Sequence, residues 1–191
     1  MLIASWNVNS IRTRIHQIIK FLECSEIDVL CLQETKVSDK DFPSKIFEEL
    51  GYNVKFSGQK SYNGVAIISK LIFEDFRVDF TGELKESEVE ESFLNQKRII
   101  SALINGIRII NVYVPNGSSL DSEKYQYKLS WLSLLSKYLI EQQKRNELTC
   151  LVGDFNIAPS NEDIFDSKNF EGGIMASMLE REALKNIIQN K

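Results

Sequence analysis

The chain has 191 residues, 43% of them hydrophobic and only three of them proline, which is enough for one sizeable core and short for two. A net charge of −4 excludes a strong whole-molecule attraction for polyanions, and no apolar run approaches the roughly 18 residues a membrane helix needs. A single domain over 1–191 is the expectation.

The opening stretch MLIASWNVNS has neither a basic start nor a cleavable apolar segment, which predicts a cytoplasmic protein. Within it, Leu2–Val8 reads as a strand, and Ile11, Ile15, Ile18, Ile19 and Leu22 then recur on one helical face. Residues 27–32 read as a second buried strand. An acidic start, Pro43 near the first turn and Gly51 as a stop predict a second helix. From Tyr52 the runs YNVKF, VAIISK and FEDFRVDF are spaced like a meander of strands. The acidic residues 83–92 are expected to be a solvated loop; without them, acids and bases balance, so a basic face remains open. Asn105-Gly106, between two apolar runs, predicts a tight hairpin because both positions of a type I′ turn need positive φ. Tyr125, Leu129, Leu132, Leu135 and Leu139 predict a helix over 121–145 with Asp121 or Ser122 as its cap. TCLVGDF gives one more strand, and a last helix runs through Met178 to Ile188.

Cys24, Cys31 and Cys150 are odd in number and lie in or beside apolar segments, which predicts reduced core thiols rather than a disulfide frame or zinc site. His16 lies in the first helix, away from other polar clusters, and is expected at the surface.

Four strands end in polar groups: Asn7 and Asn9, Glu34 and Lys36, Tyr113 and Asn116, and Asp154 and Asn156. Singly, each has an ordinary explanation. Asp154 with Asn156 suits an Asx-type turn, Glu34 a solvated acid, Asn7 a bond to its own loop, and Tyr113 strand packing. If the strand ends gather at one edge of a sheet, the same residues make an oxygen-rich pocket. Oxygen donors with no Cys or His nearby suit a hard cation, Mg²⁺ or Mn²⁺, with Glu34 and Asp154 supplying the one or two carboxylates Mg²⁺ usually takes. Such a cation, together with a carboxylate that orients water, suits phosphodiester hydrolysis.

Five motifs in order, ASWNVNSIR (4–12), LCLQETK (30–36), YNGVAIISK (62–70), NVYVPNG (111–117) and VGDFNIAP (152–159), resemble those of the exonuclease III family of apurinic/apyrimidinic (AP) endonucleases, within the endonuclease/exonuclease/phosphatase superfamily. The resemblance implies an α/β (α+β) fold of two packed mixed β-sheets flanked by helices, a four-layer sandwich, incomplete at the carboxy end. It implies a metal site at Asn7, Glu34, Asp154 and Asn156, with Glu34 the principal ligand. Tyr113 would lie near the scissile phosphate, Asp154 would activate water, Asn156 would support it, and Asn63 and Arg98 would shape the DNA-facing side. Lys36 would be one of the loop cations that bind phosphate. The implied substrate is double-stranded DNA, cut 5′ to abasic sites and shortened from 3′ ends, by a protein that is monomeric when complete.

The family's closing Ser-Asp-His motif, with a histidine that contacts phosphate, has no counterpart within these 191 residues, where His16 is the only histidine. Two alternatives therefore stand beside the nuclease: a catalytically inactive DNA-binding remnant, and a sister phosphoesterase acting on a lipid phosphate.

Overall fold

Leu2–Val8 folds into the expected strand, β1 (Ile3–Asn7), followed by α1 (Ile11–Cys24) and β2 (Val29–Gln33). The crossover through α1 makes β1 and β2 parallel neighbours, registered from Ile3 opposite Val29 to Asn7 opposite Gln33. The computed structural model describes residues 1–189 and groups the chain into two compact units. The first holds residues 1–82, 86–113 and 147–154; the second holds 83–85, 114–146 and the residues from 155 on.

In the first unit, α2 (Ser44–Glu49) has Pro43 as the residue before its first turn, and Gly51 stops the chain at φ +84°. The acids at 39–41 form a separate 3-10 turn instead of the start of that helix. Strands β3 (Asn53–Ser57) and β4 (Val65–Ser69) complete an antiparallel extension of the first sheet, in the order β1-β2-β4-β3. The expected meander ends there. β4 already has β2 and β3 on its two sides, so β5 (Asp75–Val78) begins a second sheet with β6 (Ile99–Ile104), β7 (Ile107–Tyr113) and β8 (Leu148–Asp154), in that order. β7 and β8 are parallel, and Tyr113 is paired with Asp154. Asn105 and Gly106 turn β6 into β7 with φ of 50° and 72°, as the dipeptide predicts.

Alternation along each strand divides its side chains between two layers. Val29, Cys31, Val65 and Ile67 face Ile100, Ala102, Ile104 and Ile109 across the space between the sheets. Leu30, Leu32, Ala66 and Ile68 pack on the other face against Ile11, Ile18, Leu22 and Phe47. Cys31 is fully buried, and burial, aided by the nearby Cys150, pushes its thiol pKa well up. Cys24, expected in the core, is exposed: it lies two residues past Leu22, on the opposite side of α1 from the apolar stripe. His16 is exposed as expected.

The acidic stretch is more ordered than a solvated loop. A 3-10 turn at Glu86–Glu88 leads to α3 (Glu91–Leu94); Val89 and Phe93, four apart, are buried while Glu86, Glu88, Glu90 and Glu91 stay in solvent.

The second unit is helical, with α4 (Glu123–Gln143), α5 (Ser167–Phe170) and α6 (Met178–Gln189), and α4 packs against α6. Of the two candidate caps for α4, Ser122 is the one used, its Oγ accepting from the Tyr125 N–H at 3.2 Å. Tyr125, Leu132, Leu135 and Leu139 are buried as the spacing predicts, and so is Lys128. The fold is thus α/β, with two mixed four-stranded sheets and flanking helices. Among the described residues no helix is long and apolar enough to cross a membrane.

Candidate active site

The carboxyl ends of β1, β2, β7 and β8 bring Asn7, Glu34, Tyr113 and Asp154 together in the first unit. Asn7 is the link. Its Nδ2 donates to Glu34 Oε1 at 2.8 Å and to Asp154 Oδ2 at 2.7 Å, so two acids 120 positions apart in sequence converge on a single nitrogen. Its Oδ1 accepts from the Asn9 N–H at 3.0 Å, which fixes which end of the amide meets the acids. Asn7 was expected as a metal ligand; in this arrangement it presents nitrogen to the carboxylates and clamps them.

Glu34 is the first residue after β2, and its φ of 53° is in the left-handed region that a glutamate seldom adopts. Backbone bonds hold it there: Ser10 N donates to its carbonyl at 2.7 Å, and the flanking Thr35 N and O bond Gly64 O and Ile11 N. Strain kept in place by surrounding bonds is common where a side chain has a task. Partial burial works against ionisation of Glu34, but hydrogen bonds from Asn7, Lys36 and Tyr113 and the charge of Lys36 outweigh it, and its pKa lies below the ordinary carboxylate value. Lys36 Nζ sits 2.8 Å from Glu34 Oε2 and also donates to Asn9 Oδ1.

Asp154 depends on the residue before it. Gly153 has φ 145°, and a Cβ there would lie 2.0 Å from the Val112 carbonyl oxygen, so only glycine lets β8 approach β7 closely enough to deliver the acid. Tyr113 is half-buried; burial first, then the charge of Glu34 and their hydrogen bond, push its pKa up to about 12. The Arg98 guanidinium lies 4.7 Å from the centre of the Tyr113 ring, and its Nη1 donates to the Tyr113 carbonyl at 3.3 Å. Asn63 is almost buried and its side chain donates to Gln59, while its carbonyl accepts from Lys36 N at 2.9 Å; it shapes the loop beside Lys36 and its amide does not join the acids.

Asn116 and Asn156 belong to the second unit. Asn156, with φ 49°, donates from Nδ2 to Val114 O at 2.9 Å and accepts from Asn116 Nδ2 at 3.4 Å.

Two carboxylates held on one amide, with an ammonium already drawn to one of them, are a donor set that suits a hard divalent cation. Among the described residues no group of three or more His, Cys, Asp and Glu could hold a metal, so Glu34 and Asp154 would hold it with water and substrate oxygens.

The pattern of the endonuclease/exonuclease/phosphatase family matches residues 4–178. The chain belongs to that family. Among its members, exodeoxyribonuclease III of Haemophilus influenzae is 36% identical over 165 residues, 84% of this chain and 59% of the relative. The chain therefore spans little more than half the length of that protein. An AP endonuclease structure from Archaeoglobus fulgidus is 41% identical with a TM-score of 0.89, over 99% of this chain and 70% of that one. The 3′ phosphatase NExo from Neisseria, bound to product DNA hairpin, is 35% identical with a TM-score of 0.90, over 98% and 70%.

Sequence reasoning missed the support beneath the family's site. Gln33 Nε2 donates to Asn111 Oδ1 at 2.7 Å, and Asn111 Nδ2 donates to Leu32 O at 3.0 Å and Ala66 O at 2.9 Å. This buried pair ties the two sheets together one residue before Glu34 and two before Tyr113. The available signal was a polar residue inside each of the apolar runs VLCLQ and IINVY.

Proposed function

We propose that the chain carries the reaction centre of a divalent-cation-dependent nuclease that hydrolyses phosphodiesters of double-stranded DNA, acting at abasic sites and at 3′ ends. The observation that carries this reading is the convergence of Glu34 and Asp154 on the Asn7 amide. Relatives named exodeoxyribonuclease III and AP endonuclease, and a 3′ phosphatase bound to a product DNA hairpin, favour DNA over a lipid phosphate.

Glu34 and Asp154 would hold Mg²⁺ or Mn²⁺, which when bound polarises a phosphoryl oxygen. The chain's own groups do the rest. Asp154 accepts a hydrogen bond from the attacking water and takes its proton as oxygen bonds to phosphorus and the P–O3′ bond breaks, the leaving O3′ taking a proton from solvent water. Tyr113, protonated at neutral pH, donates its hydroxyl toward the phosphate. The family resemblance assigns the Asn156 amide a supporting role in the same step. Arg98 and Lys36 offer positive charge to the DNA backbone. An abasic nucleotide has no base to unpair, so drawing it out of the helix costs little, which gives the site a means of selecting damage.

The test is a labelled duplex with one abasic site, incubated with the protein and Mg²⁺. A nick at the abasic site and loss of nucleotides from 3′ ends are expected, both stopped by EDTA. Asp154→Asn should lower turnover at least about 100-fold. Binding to the duplex without any cleavage, or hydrolysis of a phosphoinositide in place of DNA, would overturn the reading.

A further inference from the structure

The second unit contains a charged pair with no exposure at all. Lys128 of α4 and Glu180 of α6 are both fully buried, with Nζ 2.5 Å from Oε1. Taking two charges out of water is unfavourable enough that an apolar pair of similar volume usually serves stability as well or better. A role in packing alone therefore does not account for it, and its other bonds point to what it does.

The ammonium reaches past Glu180 to two backbone carbonyls, Asn156 O at 2.6 Å and Asn116 O at 3.2 Å. One cation thus joins the two loops that carry the polar residues after β7 and β8, and an ammonium has the three donors this needs. Glu180 is fixed in turn. Ser177 and Glu180 form a reciprocal capping box at the start of α6: Ser177 N and Oγ donate to Oε2 at 3.1 and 2.7 Å, and Glu180 N donates back to Ser177 Oγ at 3.3 Å. Met175 N donates to Oε1 at 3.1 Å, and the Tyr125 hydroxyl and Ser177 Oγ are 2.7 Å apart. The network therefore runs from the first turn of α6 through a buried carboxylate and ammonium to the carbonyl of Asn156. That residue holds a left-handed φ of 49°, and its side chain is aimed by Val114 O and Asn116.

We propose that Lys128 and Glu180 are positioning residues: they fix the backbone of Asn156 and Asn116 so that the Asn156 amide is aimed before substrate arrives, and they act on turnover rather than on substrate affinity. This rests on the role proposed above for Asn156. Neither residue touches substrate; each acts through the loop whose carbonyl it holds.

The experiment uses the double variant Lys128→Met/Glu180→Met, which keeps side-chain volume and leaves no buried charge behind, beside Lys128→Arg and Asn156→Ala. Two readouts are taken. The first is the ¹H–¹⁵N signal of the Asn156 side-chain amide. It should shift and exchange faster in the double variant, recorded well below that variant's own melting temperature so that the chain is folded, and Lys128→Arg should leave it nearer the parent. The second is steady-state cleavage of the abasic duplex. The double variant should lose about 10- to 100-fold in kcat with KM changed less than threefold. An unchanged Asn156 signal in a folded double variant overturns the proposal, whether or not the chain turns over. Normal kcat in the double variant together with a large loss in Asn156→Ala also overturns it. Full activity in Asn156→Ala overturns the role assigned to that asparagine, and the amide signal still reports on the positioning by itself.

Discussion

Lys36 is the residue through which the electrostatics of the site are most directly read. Its ammonium lies 2.8 Å from Glu34 and, with Asn7 and Tyr113, holds that carboxyl below its ordinary pKa against the opposing effect of burial. A carboxyl whose folded pKa is depressed adds stability above its unfolded value, roughly 4.3, and that contribution is lost as pH falls through the lower folded value. Lys36→Met removes one hydrogen bond and the only charge among the groups that lower it. The Glu34 pKa should rise toward or beyond the ordinary value, because burial then meets less opposition, and acid destabilisation should begin at higher pH than in the parent. A ¹³C titration of the Glu34 side-chain carboxyl in EDTA checks the first outcome, and thermal melts from pH 3 to 6 check the second. A Glu34 titration unchanged by the substitution would remove Lys36 from the account. The residue types at this site were legible from the strand-end pattern, and the resemblance supplied their roles. The orientation of Asn7 was not legible, because which end of an amide meets the acids depends on an Asn9 N–H placed by the folded loop.

At the scale of elements, what could be read in advance was local. The turn at Asn105-Gly106 and the cap of α4, read as Asp121 or Ser122, depend on neighbours within a few residues, and both are present, the cap at Ser122. The break in the meander after β4 was not legible, since it follows from β4 being occupied on both sides by β2 and β3. The same reason hid the Gln33–Asn111 pair, whose members are 78 residues apart, and the Lys128–Glu180 pair, 52 apart. Apolar spacing marks a helical face without saying that a lysine on that face is answered by a glutamate elsewhere. The cross-sheet pair has a measurable consequence. Asn111→Leu would strip the buried Leu32 and Ala66 carbonyls of a donor and leave Gln33 Nε2 without its 2.7 Å acceptor. Gln33 Nε2 keeps Ser5 Oγ at 3.0 Å and Cys31 O at 3.3 Å as acceptors, so the loss comes from the two carbonyls. At about 1–3 kcal/mol for each buried polar group left unpaired, about 2 kcal/mol or more is expected. Urea unfolding should report it as a lower midpoint with an unchanged slope. A loss below about 1 kcal/mol would mean that the sheets are held together by the apolar layer of Val29, Cys31, Ile100 and Ile109 alone.

For the whole molecule, a net charge of −4 opposes the approach of DNA, yet the acids responsible are not spread evenly. Glu86, Glu88, Glu90 and Glu91 lie within six residues and all face solvent, while Val89 and Phe93 between and after them are buried. Glu83, at the head of the same stretch, is already paired with Arg145 at 2.6 Å. Replacing the four exposed glutamates by glutamine takes the formal charge from −4 to zero while leaving the buried apolar contacts of the segment in place. If the segment acts only through the long-range field, the fourfold variant should associate with duplex DNA several times faster at about 0.01 M salt, where the screening length is roughly 30 Å. The advantage should shrink toward none at 0.15 M, where that length is about 8 Å, and the single-turnover rate on bound DNA should not change. Stopped-flow fluorescence with a labelled abasic duplex measures both. An advantage that persists unchanged at 0.15 M salt would show that these glutamates act at short range on the DNA, and the net charge would then be the wrong quantity with which to judge what this chain can bind.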